Sequence, residues 1–490
     1  MANNVNIFNH RFLVRIIIEA KTPLTVGSGE KNILTNNVVV KDANGLPYIP
    51  GTSIAGIIRS ALKITKYEKS FFGFLENPQD RKRRLRNDTK KSINEGSKII
   101  FSSAHLVDED GTVVEGLITK KSDYLLHFES LPIRQHVRID EKGTSTDKGK
   151  FDEEVVYKGT RFCFEIEMLS PDGLNYHLFE DVLSVLASDV IRIGGSTRKG
   201  LGEIAIIDYK LKKLKLNSEN KDEQSNDLSD YINKTSSLND EFWMKEDAYW
   251  DKIYPANGQS YPIKAGDWTT YELLIEPDDF FLFSSGIGNE KADMTPVSEP
   301  FFDWSSGAPE QKDGFVLIPG SSVKGALSHR VAFRYNKINN VYADDPNVKI
   351  EDHVGDHNKA VRALFGYSFN NKKGEQETIR GNVLVSDVIQ TRSNEQHKIL
   401  NHVAINRFTG GAMDGALFFE EITFGKGSIY TLTFKVKNEA LEDDGVKKAF
   451  HAALFDIAEG RLPLGGGVNR GHGCFHGKIF VNNEEIKRYE

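Results

Sequence analysis

The chain of 490 residues contains only two cysteines, Cys163 and Cys474, which lie far apart in the sequence. Two thiols cannot build a disulfide framework or a four-cysteine zinc site, so both are interpreted as buried free thiols. No apolar run approaches the ~18 residues that a membrane span requires. The N-terminus also lacks the basic, apolar and small-residue order of a secretory signal. These absences predict a cytoplasmic protein.

A basic excess is missing as well, because the formal net charge is −7 at pH 7. Proteins that bind nucleic acids usually carry a basic footprint, so the net value by itself argues against such a partner. The acidic residues are concentrated, however, since residues 217–247 hold nine of them against three lysines. The rest of the chain is close to neutral and includes a basic run at residues 81–91. The net charge therefore does not exclude a nucleic-acid partner.

What the sequence does contain is a helix start that occurs twice. Residues 317–336 read as a strand end, a Pro-Gly turn and a helix, and residues 48–62 read the same way, so that Gly320 corresponds to Gly51. Serine caps are predicted at both helix starts, where free backbone N–H groups beside basic side chains suit a phosphate. The residues concerned are Gly51, Ser53 and Arg59 in the first copy, and Gly320, Ser322, Lys324 and Arg330 in the second. One copy alone would be interpreted as a helix cap, but the duplication and the cations favour phosphate binding.

The repeat continues through both halves of the chain. The pattern His-Val-x-Ile begins at His136 and at His402, and precedes the polar, glycine-rich segments 140–153 and 406–420. Such a composition between alternating strands is typical of a long exposed β-hairpin. A helix then closes each half and leads to a glycine cluster, which contains Arg198 and Lys199 in the first half and Arg470 in the second. The helix starts, the His-Val-x-Ile patterns and the glycine clusters recur at nearly the same offset, which indicates an internal duplication.

The order predicted for each half is strand, helix, strand, long hairpin, strand, helix, strand. This is the order of a ferredoxin-like (RRM-like) α+β sandwich with an inserted hairpin. Two such domains are predicted, at residues 1–212 and 265–490, with hairpins at about 136–155 and 402–421. The acidic segment between them, residues 213–264, is predicted to be a mobile linker because it has few apolar residues. A fold of this type says little about function.

The Pro-Gly helix start, paired with a terminal Gly-Gly-x-x-x-[Arg/Lys]-Gly-x-Gly loop, resembles the RAMP superfamily of CRISPR proteins. More narrowly, it resembles the repeating backbone subunit of type III effector complexes. Two such units in one chain resemble the fused double backbone subunits of type III-D-like systems. The resemblance covers roughly residues 11–210 and 267–482. It implies that the partners are guide RNA, target RNA and other effector subunits, and that each hairpin is a thumb that displaces one nucleotide of the guide–target duplex.

In this family an aspartate on the loop before the Pro-Gly helix cuts the target RNA with a divalent metal, which implies Mg²⁺ or Mn²⁺ as cofactor. The second half carries Asp293 shortly before Pro296-Val297, whereas Asn36 stands at the matching place in the first half. An amide cannot act as a base or as an anionic metal ligand. The resemblance therefore predicts one endoribonuclease centre, in the second half, with Asp293 as the catalytic and metal-binding residue.

The resemblance also predicts a set of RNA-binding residues. Besides the helix starts, they are the glycine-cluster cations Arg198, Lys199 and Arg470, and the hairpin residues His136, Arg138, His402, Arg407, Phe408 and Met413. The simpler interpretation of the glycine clusters is a tight solvated turn. For Phe408, it is packing beneath its own hairpin.

Three other functions stay open at this point. The chain could be a scaffold without catalysis, or a guide-processing endoribonuclease, although such enzymes commonly rely on a histidine that is absent after the first strand here. Outside nucleic-acid binding, it could be a structural repeat protein that binds other proteins. Two histidine groups, at residues 353–357 and 472–476, are interpreted as solvated histidines because neither has a clear further metal ligand.

Overall fold

The computed structural model describes residues 10–30, 35–62, 71–74, 96–170, 176–215, 228–238, 240–244, 267–313, 316–370, 374–390 and 396–487. The basic run at 81–91 lies outside these residues. Within them, no helix is both long and apolar enough to cross a membrane. Cys163 is buried as predicted, and burial raises the pKa of its thiol to about 12. Cys474 is only partly buried, so its interpretation as a buried thiol is wrong.

The first half consists of seven strands and three α-helices in the part of the chain that is described. The strands are β1 His10–Ala20, β2 Ile99–Phe101, β3 His105–Leu106, β4 Ile133–Ile139, β5 Ser145–Glu154, β6 Arg161–Ser170 and β7 Ile204–Lys215. The helices are α1 Gly51–Ala61, α2 Asp123–Leu126 and α3 Tyr176–Ala187. A short helix, α4 Glu241–Met244, follows in the acidic segment.

The second half has more elements. Its strands are β8 Trp268–Pro277, β9 Phe280–Phe281, β10 Phe301–Asp303, β11 Glu310–Lys312, β12 Val316–Ile318, β13 Gly366–Asn370, β14 Gln376–Arg380, β15 Val383–Val385, β16 Val388–Gln390, β17 Gln396–Ile405, β18 Ala412–Phe424, β19 Tyr430–Lys437, β20 Phe475–Val481 and β21 Glu484–Ile486. Its α-helices are α5 Gly320–Ile338, α6 Lys359–Phe365 and α7 Asp444–Ala458.

The main sheets of the two halves have the same strand order. The first runs β2-β6-β1-β7 and the second β15-β19-β8-β20, and all neighbouring strands are antiparallel. In β1, alternate residues such as Phe12 and Ile16 enter the core with the helices, where α1 contributes Ile54 and Ile58. Side chains two residues apart in the strand and four residues apart in the helix therefore pack together in one core.

A separate antiparallel hairpin stands outside each main sheet. In the first half β4 pairs with β5, and in the second half β17 pairs with β18. Both hairpins begin earlier than the polar segments that predict them, because the apolar His-Val-x-Ile stretches form the first arms. The turn of the first hairpin lies at residues 140–144.

Part of the acidic segment is docked rather than free. Phe242 and Trp243 are buried against Leu13 and Leu214 on the outer face of the first sheet. Arg15 reaches into this segment and donates hydrogen bonds to two of its backbone carbonyls, at 2.8 and 2.9 Å. For residues 228–238 and 240–244 the predicted mobile linker is therefore wrong, since an aromatic pair covers an otherwise exposed apolar face. The rest of the predicted linker lies outside the described residues, apart from the end of β7.

The two halves interlock through β10. Phe302 belongs to the core of the first half, and Trp304 Nε1 donates to the Gly159 carbonyl at 2.7 Å. Gly159 has a φ of 83°, and a Cβ there would lie 1.9 Å from the Phe302 carbonyl oxygen. Only glycine permits this approach. A segment of the second half is thus part of the first core.

Candidate nucleic-acid interface

The glycine cluster of the first half meets the helix start of the second half directly. Gly200 pairs with Ser386, and a Cβ on Gly320 would lie 2.9 Å from the Gly200 Cα. Gly200 has a φ of 113°, and its own Cβ would lie 1.8 Å from the Asp387 carboxylate. Two sites that the sequence predicts separately therefore form one surface, which we call the junction.

A buried ion cluster holds the junction. Arg134, in the first hairpin, binds Glu299 and Asp387 of the second half, with 2.8 Å between its Nη2 and Glu299 Oε2. All three side chains are almost fully buried. Burial alone lowers the pKa of Arg134, but Asp387 and Glu299 outweigh it and raise this pKa above its usual value. Asp387 also accepts the Gly320 backbone N–H at 2.7 Å, so the first amide of α5 is already used.

Four cations gather beside the junction: Arg198 and Lys199 from the first half, and Lys324 and Arg380 from the second. Arg198 Nε donates to a backbone carbonyl of the second half at 2.8 Å, and Arg380 Nη2 donates to a threonine hydroxyl of the first half at 2.7 Å. Both hydrogen-bond partners are neutral. Sequence reasoning missed Arg380, because only the fold brings it to the glycine cluster.

Burial and the crowding of positive charge lower the pKa of two of these cations, Lys324 and Arg198. Burial, followed by the charges of Lys199 and Arg198, lowers the pKa of Lys324 to about 8. Burial, with Arg380 as the next cause, also lowers the pKa of Arg198 to about 9. Asp356 offsets part of the repulsion on Lys324. In the described part of the chain none of the four is ion-paired to a carboxylate, so the junction presents positive charge that an anion such as a phosphate can neutralise.

The serine caps predicted at the helix starts are wrong. The N-caps are Pro50 and Pro319, and neither helix has a side-chain cap hydrogen bond. Because helix geometry already begins at the glycines, Ser53 and Ser322 lie inside the first turn. A Cβ on Gly51 would be 2.5 Å from a backbone oxygen, so this helix start also packs closely against its neighbours.

Two predicted RNA-binding arginines are engaged with protein groups. Arg330, together with Arg334, binds the fully buried carboxylate of Asp456 in α7. Arg330 Nη2 also donates to a backbone carbonyl at 2.7 Å. Arg59 reaches the Gly73 carbonyl at 3.4 Å and lines a cavity of about 380 Å³ beside α1. Arg330 is therefore a structural partner of a buried acid, whereas Arg59 lines a cavity beside α1.

The base of the second hairpin holds a ring of four side chains. His402 Nε2 lies 3.0 Å from Glu420 Oε2, and Arg470 Nη2 donates to Glu420 Oε1 at 2.6 Å. Phe418 lies between His402 and Arg470. Its ring stacks on the His402 ring with 4.7 Å between the centroids, and the Arg470 guanidinium lies 5.6 Å from the centroid of the Phe418 ring. Glu420 is completely buried. The predicted RNA ligands His402 and Arg470 thus join hairpin and glycine cluster through a buried carboxylate.

The first hairpin has the same ring with other cations. His136 stacks on Phe151 at 4.7 Å, and its Nε2 lies 2.7 Å from Glu153 Oε1, off the hydrogen-bond direction. Lys199 stands 4.5 Å from the centre of the Phe151 ring, and Ser196 donates to Glu153 Oε2 at 2.9 Å. Burial raises the pKa of Glu153, but His136 and Ser196 outweigh it and lower this pKa below its ordinary value. Sequence reasoning missed the phenylalanines and glutamates, although a Phe-x-Glu pattern that recurs in both halves signals them.

Asp293 and Asn36 occupy equivalent places beside these rings. The Phe419 backbone N–H donates to Asp293 Oδ2 at 2.7 Å, and the Asp152 backbone N–H donates to Asn36 Oδ1 at 3.0 Å. In each half the donor is the residue between the phenylalanine and the glutamate of the ring. Both side chains are exposed. The loops therefore match in geometry and differ in whether they carry a carboxylate.

The hairpins expose apolar side chains. Phe408 is 98% exposed and Met413 49% exposed, so the alternative that Phe408 packs beneath its hairpin is excluded. Arg138 and Arg407 are also exposed. The first arms expose matching aliphatic side chains that sequence reasoning did not weigh, namely Ile133, Val137 and Ile139, and Ile399, Val403 and Ile405.

Metal-ligating side chains do not cluster: among the residues that the structure describes, no three histidine, cysteine, aspartate or glutamate side chains converge on one point. His476 binds Asp278 at 2.6 Å. His472 is 7% exposed, so its interpretation as a solvated histidine is wrong, and burial is the main cause that lowers its pKa.

Comparison with known proteins agrees with the duplication. The family model described as RAMP superfamily matches residues 17–205 and 304–476, most of both halves. A protein of Methanocaldococcus jannaschii named CRISPR system Cms endoribonuclease Csm3 is 28% identical over 253 residues, covering 46% of this chain and 92% of that protein. The resemblance predicted from the sequence motifs is confirmed, and this chain belongs to the RAMP superfamily.

Proposed function

We propose that this protein is a double backbone subunit of a type III CRISPR effector, which binds guide RNA and target RNA together with other effector subunits. Two RAMP regions in one chain and the similarity to a protein named as a CRISPR endoribonuclease support this proposal. Each half is a ferredoxin-like domain, an interpretation that rests on the shared strand order. Each hairpin is the thumb of its half.

The guide RNA backbone crosses the junction. Arg198, Lys199, Lys324 and Arg380 bind its phosphates there, because none of them is ion-paired to a carboxylate of the described residues and a polyanion would therefore supply the missing counter-charge. This site involves both halves at once. It therefore holds the RNA in a set relation to the two hairpins.

Phe408 and Met413 act at the end of the second hairpin. An exposed apolar side chain can stack on a base, and such stacking contributes ~1 to 3 kcal/mol. That is enough to hold one nucleotide out of the duplex. The displaced nucleotide leaves its neighbouring phosphate free to adopt a geometry that a regular duplex forbids.

Target RNA is cut by attack of a ribose 2′-OH on the adjacent phosphate, which forms a 2′,3′-cyclic phosphate and breaks the bond to the 5′-oxygen of the next nucleotide; this oxygen leaves as a hydroxyl after taking a proton from water. Asp293 is the residue that accepts the proton or holds a metal, since it is exposed and, among the described residues, only one of its oxygens accepts a backbone N–H. A single carboxylate with free lone pairs fits Mg²⁺ or Mn²⁺, because Mg²⁺ commonly keeps several waters and binds one or two carboxylates plus substrate phosphates. When bound, the ion would offset charge on the reacting phosphate. Asn36 offers no such group.

The observation that carries the proposal is that Asp293 and Asn36 each accept the corresponding backbone N–H of their hairpin, while only Asp293 is a carboxylate. The test is a denaturing gel of end-labelled target RNA cut by the assembled complex in magnesium, with a chelator control. D293A should abolish the cut assigned to the second half and leave guide and target binding intact, whereas the matched variant N36A should cut normally. Cutting at every position by D293A would refute the catalytic assignment and leave a non-catalytic scaffold. Cutting in the presence of chelator would refute the role of Asp293 as a metal ligand but not its role as a proton acceptor.

A further inference from the structure

We infer that Glu420 is a positioning residue, which fixes Asp293 on the hairpin without touching RNA. The inference rests on the proposed function, because it concerns the residue assigned to cleavage. It assigns a purpose to the ring of His402, Phe418, Glu420 and Arg470, which the proposed chemistry does not use.

The connection between the ring and Asp293 runs through strand β18. Phe418 and Glu420 point to the face that carries the ring, because side chains alternate along a strand. The residue between them, Phe419, uses its backbone for Asp293: its carbonyl accepts the Asp293 N–H at 2.9 Å and its N–H donates to Asp293 Oδ2 at 2.7 Å. The catalytic loop is thus attached to the one residue whose two neighbours are held by the ring.

Glu420 is the member that holds the ring together. Its carboxylate is completely buried and binds His402 through one oxygen and Arg470 through the other. These two partners come from different parts of the second half: His402 from the first arm of the second hairpin, and Arg470 from the glycine cluster. A buried carboxylate with two partners tolerates little displacement, because losing either one leaves an uncompensated charge. Strand β18 is therefore fixed against the body of the second half at this point.

The first half supports this interpretation independently of catalysis. It keeps the ring, with Glu153 accepting from Ser196 and lying beside His136. It also keeps the attachment of the loop to the hairpin, because the Asp152 N–H donates to the Asn36 side chain and the Asp152 carbonyl accepts the N–H of the next loop residue, Asn37. A ring that persists where the carboxylate is missing does not itself perform the reaction. What the rings of both halves share is that they lie where the loop is attached to the hairpin. The ring therefore positions the loop.

The experiment compares E420Q with E153Q in the assembled complex. Both variants replace a buried ring glutamate by an isosteric amide, but only E420Q affects the ring next to Asp293. We expect E420Q to lower the single-turnover cleavage rate roughly 10- to 100-fold at unchanged target affinity, since a small misplacement of a reacting group has an effect of this size. E153Q should cut at the normal rate. R470K should retain most of the activity, because a lysine keeps a positive charge beside the buried Glu420 carboxylate, whereas R470Q should resemble E420Q.

The outcomes separate the inference from the proposed function. If D293A is inactive and E420Q cuts at the normal rate, the positioning role is refuted and the proposed function stands. If E420Q loses target binding or thermal stability in the same proportion as its rate, while E153Q does not, the ring is only structural and the inference also fails. If D293A cuts normally, the proposed catalytic assignment itself is wrong. A fall in rate alone, with R470K active, supports the inference.

Discussion

Replacing the junction cations should weaken the salt dependence of RNA binding. The variant is R198Q/K324M/R380Q, in which glutamine keeps a hydrogen-bond donor at the arginine positions and methionine keeps the apolar stem of the lysine. Arg330 and Arg470 are left in place because they neutralise the buried carboxylates of Asp456 and Glu420. Their removal would test folding rather than RNA binding.

The size of the effect follows from counterion release. Each phosphate neutralised on a single strand contributes about −0.7 to the slope of log affinity against log salt, so three lost contacts should flatten the slope by ~2. Between 50 and 200 mM salt, a slope change of ~2 corresponds to roughly 16-fold less loss of affinity. The free protein should gain thermal stability, because burial and mutual repulsion disfavour the charged form of Lys324.

The measurement is filter binding of labelled single-stranded RNA to the full chain at several salt concentrations. The matched control, K337A/K447A/K448A, removes the same number of positive charges from exposed positions on α5 and α7. It should change the slope little. An unchanged slope in the junction variant, or an equal change in the control, would show that the RNA does not cross the junction.

Four further predictions concern other parts of the molecule. N36D should create a second cut in the target RNA, because the first hairpin already offers the same backbone N–H, and a gel that shows only the original cut would contradict this. R134A should lower the free energy of unfolding by about 3–5 kcal/mol in urea titration, since it leaves two buried carboxylates without their partner, and a change below ~1 kcal/mol would be inconsistent with the buried cluster. RNA affinity should fall as the pH rises through about 8, where Lys324 loses its charge, and K324R should remove this pH dependence. Without RNA, the free energy of unfolding should instead rise between about pH 8 and the ordinary lysine pKa of 10.5. In that range the lysine is protonated in the unfolded chain but neutral in the folded one. F408A/M413G should lower or shift cleavage without affecting guide binding, and cutting at the same phosphate and rate would exclude the wedge.

The internal repeat is visible in the sequence because it depends on local patterns. Alternating apolar residues define the strands, the Pro-Gly turn starts both helices, and His-Val-x-Ile marks both hairpins. Because matching motifs recur at a nearly constant offset, they predict two halves with the same order of elements. The matching strand orders follow from that duplication. The correspondence of Asn36 with Asp293 was also readable, since each stands between a Gly-x-Gly motif and a Pro-Gly helix start.

The sequence alone does not show which charges are already neutralised. In the sequence, Arg330, Arg470 and Arg198 are all arginines within a repeated motif. In the structure, however, Arg330 is ion-paired with Asp456 and Arg470 with Glu420. A buried acid and its partner are separated by 126 and 50 residues in these cases, so no local pattern joins them. The docking of Phe242 and Trp243 was missed for a related reason, because a short aromatic pair in an acidic segment carries no periodicity.

The junction is the feature that only the tertiary structure decided. Arg198 and Lys324 belong to different halves, and each motif predicts a phosphate site of its own. They lie on a single surface because β10 enters the first core and because Arg134 binds Glu299 and Asp387 across the boundary. Such contacts arise from the complementary shapes and charges of two folded surfaces, which are set by residues far apart in the chain. Local sequence determined the two halves, and long-range packing determined how they combine.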